Sequence, residues 1–291
     1  MPEGDTVWLA AQRMNTALAG ATLRRGEFRI PQLATADLAG ATVTEVIARG
    51  KHLLIRLADG RTLRTHFRMD GSWHIYRPGT RWHGGPGYDI RMVLATDDWE
   101  CVGYRLHDID LVRTTEEERL VGHLGPDVLG PDWDAEEALR RLRDRRDEQI
   151  GVALLDQRNL AGIGNLYKVE SLFVEGVHPW DRVADVADLP ALVDRARALM
   201  RANLHRPQQI TTGDPRKGRE HWVFGRQGKP CRRCGTRILL GEQGPATQER
   251  VTWWCPTCQA ARSEVDPRAR TGERHRPRPL TTGEAQPRRY V

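Results

Sequence analysis

Four cysteines in two C-x-x-C pairs, Cys231 with Cys234 and Cys255 with Cys258, constrain this chain more than any other feature. Twenty residues separate the pairs. At that spacing four thiolates close around one zinc ion in a ribbon, with a short hairpin between the pairs. A four-cysteine set leaves the metal no open position, so the ion is structural. The fifth cysteine, Cys101, lies in a strand pattern and reads as a buried small residue. Paired thiols with one left over fit a metal site in a reducing compartment better than a disulfide framework. The start, MPEGDTVWLA, has no basic-then-apolar stretch. No secretory signal is expected, and the cytoplasm is the expected location.

The remaining length, out of 291 residues, accommodates two domains beside the ribbon. No run approaches the ~20 apolar residues of a spanning helix, which excludes a helical membrane protein. Lys and Arg number 45 against 39 Asp and Glu, a net charge of +6. That mild excess permits a polyanionic partner without establishing one. Residues 5–19 read as a helix with Val7, Ala10, Ala11, Met14 and Leu18 on one face, capped by Asp5 or Thr6 and ended by Gly20. Between 22 and 112 at least six short alternating or β-branched runs predict a β-sandwich or barrel. From about 113 the texture turns helical, including 150–162 and 165–176. The expected division is a sandwich over 1–115, a hinge over 116–134 (GPDVLGPDWD at its end), a helical unit over 135–220, the ribbon over 221–261, and a disordered basic tail over 262–291. Arg226, Arg232, Arg233, Arg237 and Arg250 fall in or beside the ribbon, a pattern suited to phosphate binding and equally to a solvated charged surface. The nine tryptophans read as core rather than as base-stacking platforms.

Pro2 follows the initiator Met. Removal of Met1 leaves a secondary amine, which attacks an aldehyde-level carbon and forms an iminium. The following helix favours an unprotonated amine and an ionised neighbouring carboxylate. Glu3 is placed to exchange protons with that amine. An ordinary helix leader has the same residues.

MPEG at the start, RGKHL at 49–53, THFRMDG at 65–71, LGPDVL at 124–129, LLDQRNLAGIGNLYKVESLF at 154–173 and the terminal ribbon together resemble the bacterial formamidopyrimidine-DNA glycosylase and endonuclease VIII family. The likeness runs from residue 1 to about 260 in unbroken motif order. It implies an α+β fold: an N-terminal β-sandwich with flanking helices, a helix–two-turn–helix domain and a C-terminal zinc ribbon. It implies a bifunctional DNA glycosylase and abasic-site lyase acting on damaged DNA as a monomer. One structural zinc ion and no catalytic metal or organic cofactor are implied. Pro2 resembles the nucleophile and Glu3 the acid/base partner. Lys51 is similar to the family lysine that contacts phosphate and donates a proton for β-elimination, although alone it reads as a surface lysine at a strand start. Asn165 resembles a phosphate ligand, and Gly162 and Gly164 would let backbone N–H groups approach that phosphate. Arg250 resembles the ribbon arginine that binds the lesion phosphate and serves δ-elimination. Met69 aligns with the wedge residue that fills the gap left by an extruded base. Arg68 and His123 fall at DNA-contact positions where the endonuclease VIII branch often carries Gln and Arg.

MPEGDTVW is closer to the endonuclease VIII opening than to MPELPEVE of the purine-lesion branch. Gly151 stands where that branch has a lysine, and its Arg-x-Phe loop is not evident over 104–114. Oxidised pyrimidines are therefore the expected substrates. Oxidised purines within the same enzyme class, or a catalytically silent damage-binding protein, are the alternatives.

Overall fold

The structure, a computed structural model, describes residues 2–262. Apart from Arg262, the expected basic tail lies outside the described residues. Helix α1, Gly4–Leu18, buries Val7, Ala11, Met14 and Leu18, which recur at helical spacing. It starts at Gly4 with Glu3 at the cap position, and no side chain caps it. The expected cap Asp5 instead turns inward, where its carboxylate accepts the Tyr167 hydroxyl at 2.7 Å.

Eight strands follow: β1 Arg25–Phe28, β2 Val43–Arg49, β3 His52–Leu57, β4 Arg61–His66, β5 Ser72–Tyr76, β6 Ile90–Ala95, β7 Glu100–Tyr104 and β8 Asp108–Arg113. They form two antiparallel four-stranded sheets, β1-β6-β7-β5 and β2-β3-β4-β8. Val46, Leu53, Ile55 and Leu63 from one sheet and Met92, Leu94 and Cys101 from the other share the core with α1. Cys101 is fully buried, as its strand pattern predicts.

The helical part comprises α2 Glu118–Val121, α3 Ala135–Arg143, α4 Ile150–Ala153, α5 Asn165–Val174 and α6 Leu189–Arg201. Asp134 and Asp188 cap α3 and α6 by accepting the N–H groups of Glu137 and Ala191. The helix expected over 150–162 stops after one turn. Gln157 explains the break: its side chain donates to the Leu155 and Ile163 carbonyls and accepts the Gly162 N–H, replacing helical bonds with a closed loop. Helix α5 is buried all round, with every residue from Asn165 to Phe173 shielded.

Strands β9 Leu239–Gln243 and β10 Arg250–Trp254 form the antiparallel hairpin between the cysteine pairs, with Arg250 opposite Gln243. Trp180 and Trp254 pack edge to face at 4.7 Å beneath it, in the core role expected of the tryptophans. Among the described residues no helix is long and apolar enough to cross a membrane.

Candidate active site

Five motifs far apart in sequence meet at the N-terminus of α5. Glu3 is 1% exposed, and its carboxylate accepts the backbone N–H groups of Gly164, Leu166 and Tyr167 at 3.0, 2.7 and 3.4 Å. A helix N-terminus presents unpaired donors and positive potential, and here its anion is the chain's own carboxylate. Gly164 has to be glycine: a Cβ there would lie 2.3 Å from Glu3 Cδ. Gly162, at φ +104°, accepts the Gly4 N–H with its carbonyl at 2.9 Å. The two glycines therefore bring the loop up to residues 3 and 4, and the Gly164 N–H expected to approach phosphate is taken by Glu3. Burial pushes the Glu3 carboxyl up to about 7, against the charge of Lys51 and the Leu166 N–H.

Lys51 stands on the two-residue turn between β2 and β3. Gly50, at φ +58°, supplies the positive φ that such a hairpin turn needs at its first position. The Gly50 N–H donates to Asp127 Oδ2 at 2.7 Å, while Asp127 Oδ1 accepts the Leu129 N–H. Ala161 bonds through its N–H and carbonyl to Pro126 and Val128. The LGPDVL segment thus ties the Lys51 turn to the same loop that holds Glu3. Lys51 is partly buried, and burial lowers it to about 8, with Glu3 opposing and Arg250 adding to the shift. The β3–β4 register sets His52 opposite His66, ring centroids 4.8 Å apart. Burial, then His66 and Arg64, pushes His52 down to about 3, and burial holds His66 near about 4 despite Asp108. Neither imidazole adds charge beside Lys51 at neutral pH.

Arg250 opens β10 and is exposed, and its side chain makes no hydrogen bond or ion pair among the described residues. Three of the other ribbon arginines are committed to structure: Arg226 to the Trp222 and Pro230 carbonyls, Arg232 to those of His221 and Gly218, and Arg233 to those of Phe173 and Val174. The phosphate-binding cluster read from composition therefore narrows to Arg250 and Arg237. Asn165 Nδ2 donates to the Val251 carbonyl at 2.7 Å, and its buried Oδ1 has no hydrogen-bond partner among the described residues. The second Nδ2 hydrogen has no acceptor among the described residues. Lys168, which the motif reading passed over, is fully buried one turn further along α5, its Nζ donating to Thr252 Oγ1 at 2.7 Å. Burial lowers it to about 7, with Glu3 opposing and Arg250 adding. A lysine inside the apolar stretch NLYKVESLF was the available signal.

Met69 projects from the β4–β5 turn and is 58% exposed. Arg68 beside it has φ +51° and a bidentate pair to Asp108 at 2.8 and 2.9 Å. His123 is exposed, its ring 6.5 Å from that of His52. A cavity of about 600 Å³ opens at Pro2, with Thr6, Arg13, Phe67, Trp73 and His74 in its walls.

The four cysteine sulfurs lie within 4.8 Å of one another. Tetrahedral coordination at ~2.3 Å requires neighbouring sulfurs on the order of 3.8 Å apart. Cys231 to Cys258 is 3.9 Å and Cys234 to Cys255 is 3.4 Å, so the set fits a metal ion.

Residues 1–125 match the formamidopyrimidine-DNA glycosylase N-terminal domain, and 124–213 match the H2TH domain of the same family. A Streptomyces coelicolor protein described as a probable endonuclease 8 is 53% identical over 281 residues, covering 95% of this chain and all of that one. A DNA-(apurinic or apyrimidinic site) lyase of Mycolicibacterium smegmatis is 44% identical, covering 90% of this chain and all of its own. Among solved structures, Lactococcus lactis Fpg in complex with N7-benzyl-Fapy-dG DNA superposes with a TM-score of 0.72 at 23% identity, over 89% of this chain and all of that one. That likeness carries the fold. With the motifs gathered at one site and full-length relatives on both counts, the chain belongs to the formamidopyrimidine-DNA glycosylase and endonuclease 8 family.

Proposed function

We propose that this protein is a base-excision DNA glycosylase with abasic-site lyase activity, removing oxidised pyrimidines through a Pro2 Schiff base. The observation that carries the reading is Glu3, a buried carboxyl poised near pH 7 directly beside Pro2, with Lys51 and Arg250 brought toward it by other elements. The relatives' names, endonuclease 8 and abasic-site lyase, support it.

The glycosidic bond is hidden in a stacked duplex, so the nucleotide has to be extruded at a cost of a few kcal/mol. Lys51, Asn165 and Arg250 would offset that cost at the phosphates, with Met69 filling the stack and Arg68 and His123 meeting the DNA beside it. Arg68 must first loosen its pair with Asp108. The cavity at Pro2 receives the base. The Pro2 nitrogen bonds to C1′, the glycosidic bond breaks, and the base leaves with its electron pair and takes up the proton that the Pro2 amine gives up. Glu3 protonates O4′ as the sugar ring opens to the iminium. The iminium acidifies C2′–H. Loss of that proton expels the 3′ phosphate, with Lys51 supplying a proton, and loss of the C4′ proton then expels the 5′ phosphate beside Arg250. Water releases the sugar fragment and restores the amine.

The preference for pyrimidines draws on Gly151. A Cβ there would lie 2.3 Å from Gln243 Oε1, so a lysine at this position would displace the Gln243 amide from its bonds to Gln149 and Pro179. The turn at 105–107 is likewise closed, by Arg105 on Asp89 and His107 on Asp70 at 2.7 Å each. Duplexes carrying one oxidised pyrimidine are expected to be incised at least tenfold faster than duplexes with 8-oxoguanine opposite cytosine. The reverse order in single-turnover assays would assign the chain to purine lesions.

We take the metal to be one structural zinc ion, held by Cys231, Cys234, Cys255 and Cys258. It supplies a cross-link that sets the hairpin bearing Arg250, and no catalytic chemistry. Cys255→Ser is expected to lower zinc from one equivalent towards none by elemental analysis and to weaken abasic-DNA binding at least tenfold. Full binding by a zinc-free chain would refute this. The unit boundaries at 115, 134, 220 and 261, a monomeric state, and work in the cytoplasm at the nucleoid complete the proposal.

A further inference from the structure

The reaction outlined above leaves Lys168 without a task, yet a fully buried lysine is expensive to keep where an apolar side chain would pack. Its amine nitrogen donates to Thr252 Oγ1 at 2.7 Å. The Thr252 hydroxyl lies 3.2 Å from the Arg250 carbonyl and 3.4 Å from Gln243 Oε1. Because Lys168 is the donor in that contact, the Thr252 proton is directed away from Lys168 toward those two oxygens. Three residues earlier on the same face of α5, Asn165 holds the Val251 carbonyl at 2.7 Å. The two rungs fasten both residues that follow Arg250 to the helix whose N-terminus holds Glu3. Since the Arg250 side chain has no hydrogen-bond or ion-pair partner among the described residues, its reach is set by the backbone of β10.

We propose that Lys168 is a positioning residue for the second elimination, holding the Arg250 strand in place relative to Glu3 through Thr252. The identity of residue 168 then sets how far the reaction runs past the first strand break. This rests on the glycosylase and lyase reading.

The test uses the full zinc-loaded chain and a duplex with a single abasic site under single-turnover conditions. Lys168→Met is expected to keep borohydride trapping and the first elimination within threefold of the wild type, and to lower the second-elimination product at least tenfold. Lys168→Arg, which restores a buried donor, should recover part of that product. Thr252→Val should reproduce the loss, Thr252→Ser should not, and Lys168→Met combined with Thr252→Val should be no worse than either alone. The threonine variants carry the test if Lys168→Met fails to fold. An unchanged product ratio in Lys168→Met and Thr252→Val, additive losses, or equal loss of trapping and both products would overturn the proposal. A wild type that stops at the first break would also overturn it. A wild type that forms no adduct would overturn the enzymatic reading as well.

Discussion

A chain whose Pro2 nitrogen is kept as an amide, by an N-terminal extension that retains Met1, is expected to lose borohydride-trappable adduct with abasic DNA by at least about a thousandfold. The reason is electronic. An amide nitrogen shares its lone pair with the carbonyl and has none to give to C1′. The extension leaves Glu3, Lys51 and the ribbon untouched, so binding to a non-cleavable abasic analogue should remain within a few-fold. Pro2→Ala complements it: a primary amine stays available, but without the ring, and slower trapping rather than none is expected. Undiminished trapping by the extended chain would move the nucleophile to a lysine. Lys51, lowered to about 8, would be the first to test.

The second large effect belongs to Glu3→Gln, and it has two signatures. Base release from an oxidised-pyrimidine duplex should fall by roughly 10²–10⁴, the range for removal of a positioned acid or base. In the wild type the same step should decline as pH passes about 7, where the Glu3 proton is lost. The other signature is stability. The folded-state value lies above the ordinary 4.5, so the folded chain binds more protons than the unfolded one across that interval. Stability therefore falls as pH rises from about 4.5 to 7, and the penalty is complete above it. A shift of this size corresponds to on the order of 3 kcal/mol. Glutamine removes the penalty but also gives up one acceptor for the α5 N–H groups. Glu3→Gln should raise Tm at pH 8 and do little at pH 5. An equal change at both would show that Glu3 is not held by burial.

Linear patterns carried the local features. The face of α1, the short strands and the ribbon hairpin all depend on near neighbours and fixed periods. The one-turn α4 did not show, because Gln157 trades helical bonds for a loop whose purpose is a contact with residues 3 and 4. Arg226, Arg232 and Arg233 looked like phosphate ligands for the same reason: composition counts charges and cannot see which carbonyls already hold them.

The sequence by itself determined the four-cysteine set and the family, and it named Pro2, Glu3, Lys51 and Arg250 as candidates, since each is a matter of residue type and spacing along the chain. Only the tertiary structure decided that Glu3 fills the N-terminus of α5, that Asp127 ties Lys51 to the same loop, and that Lys168 stands behind Arg250. Those relations join residues up to 164 positions apart. Contacts at such separations leave no period in the chain, and they exist only once the two sheets and α5 have packed.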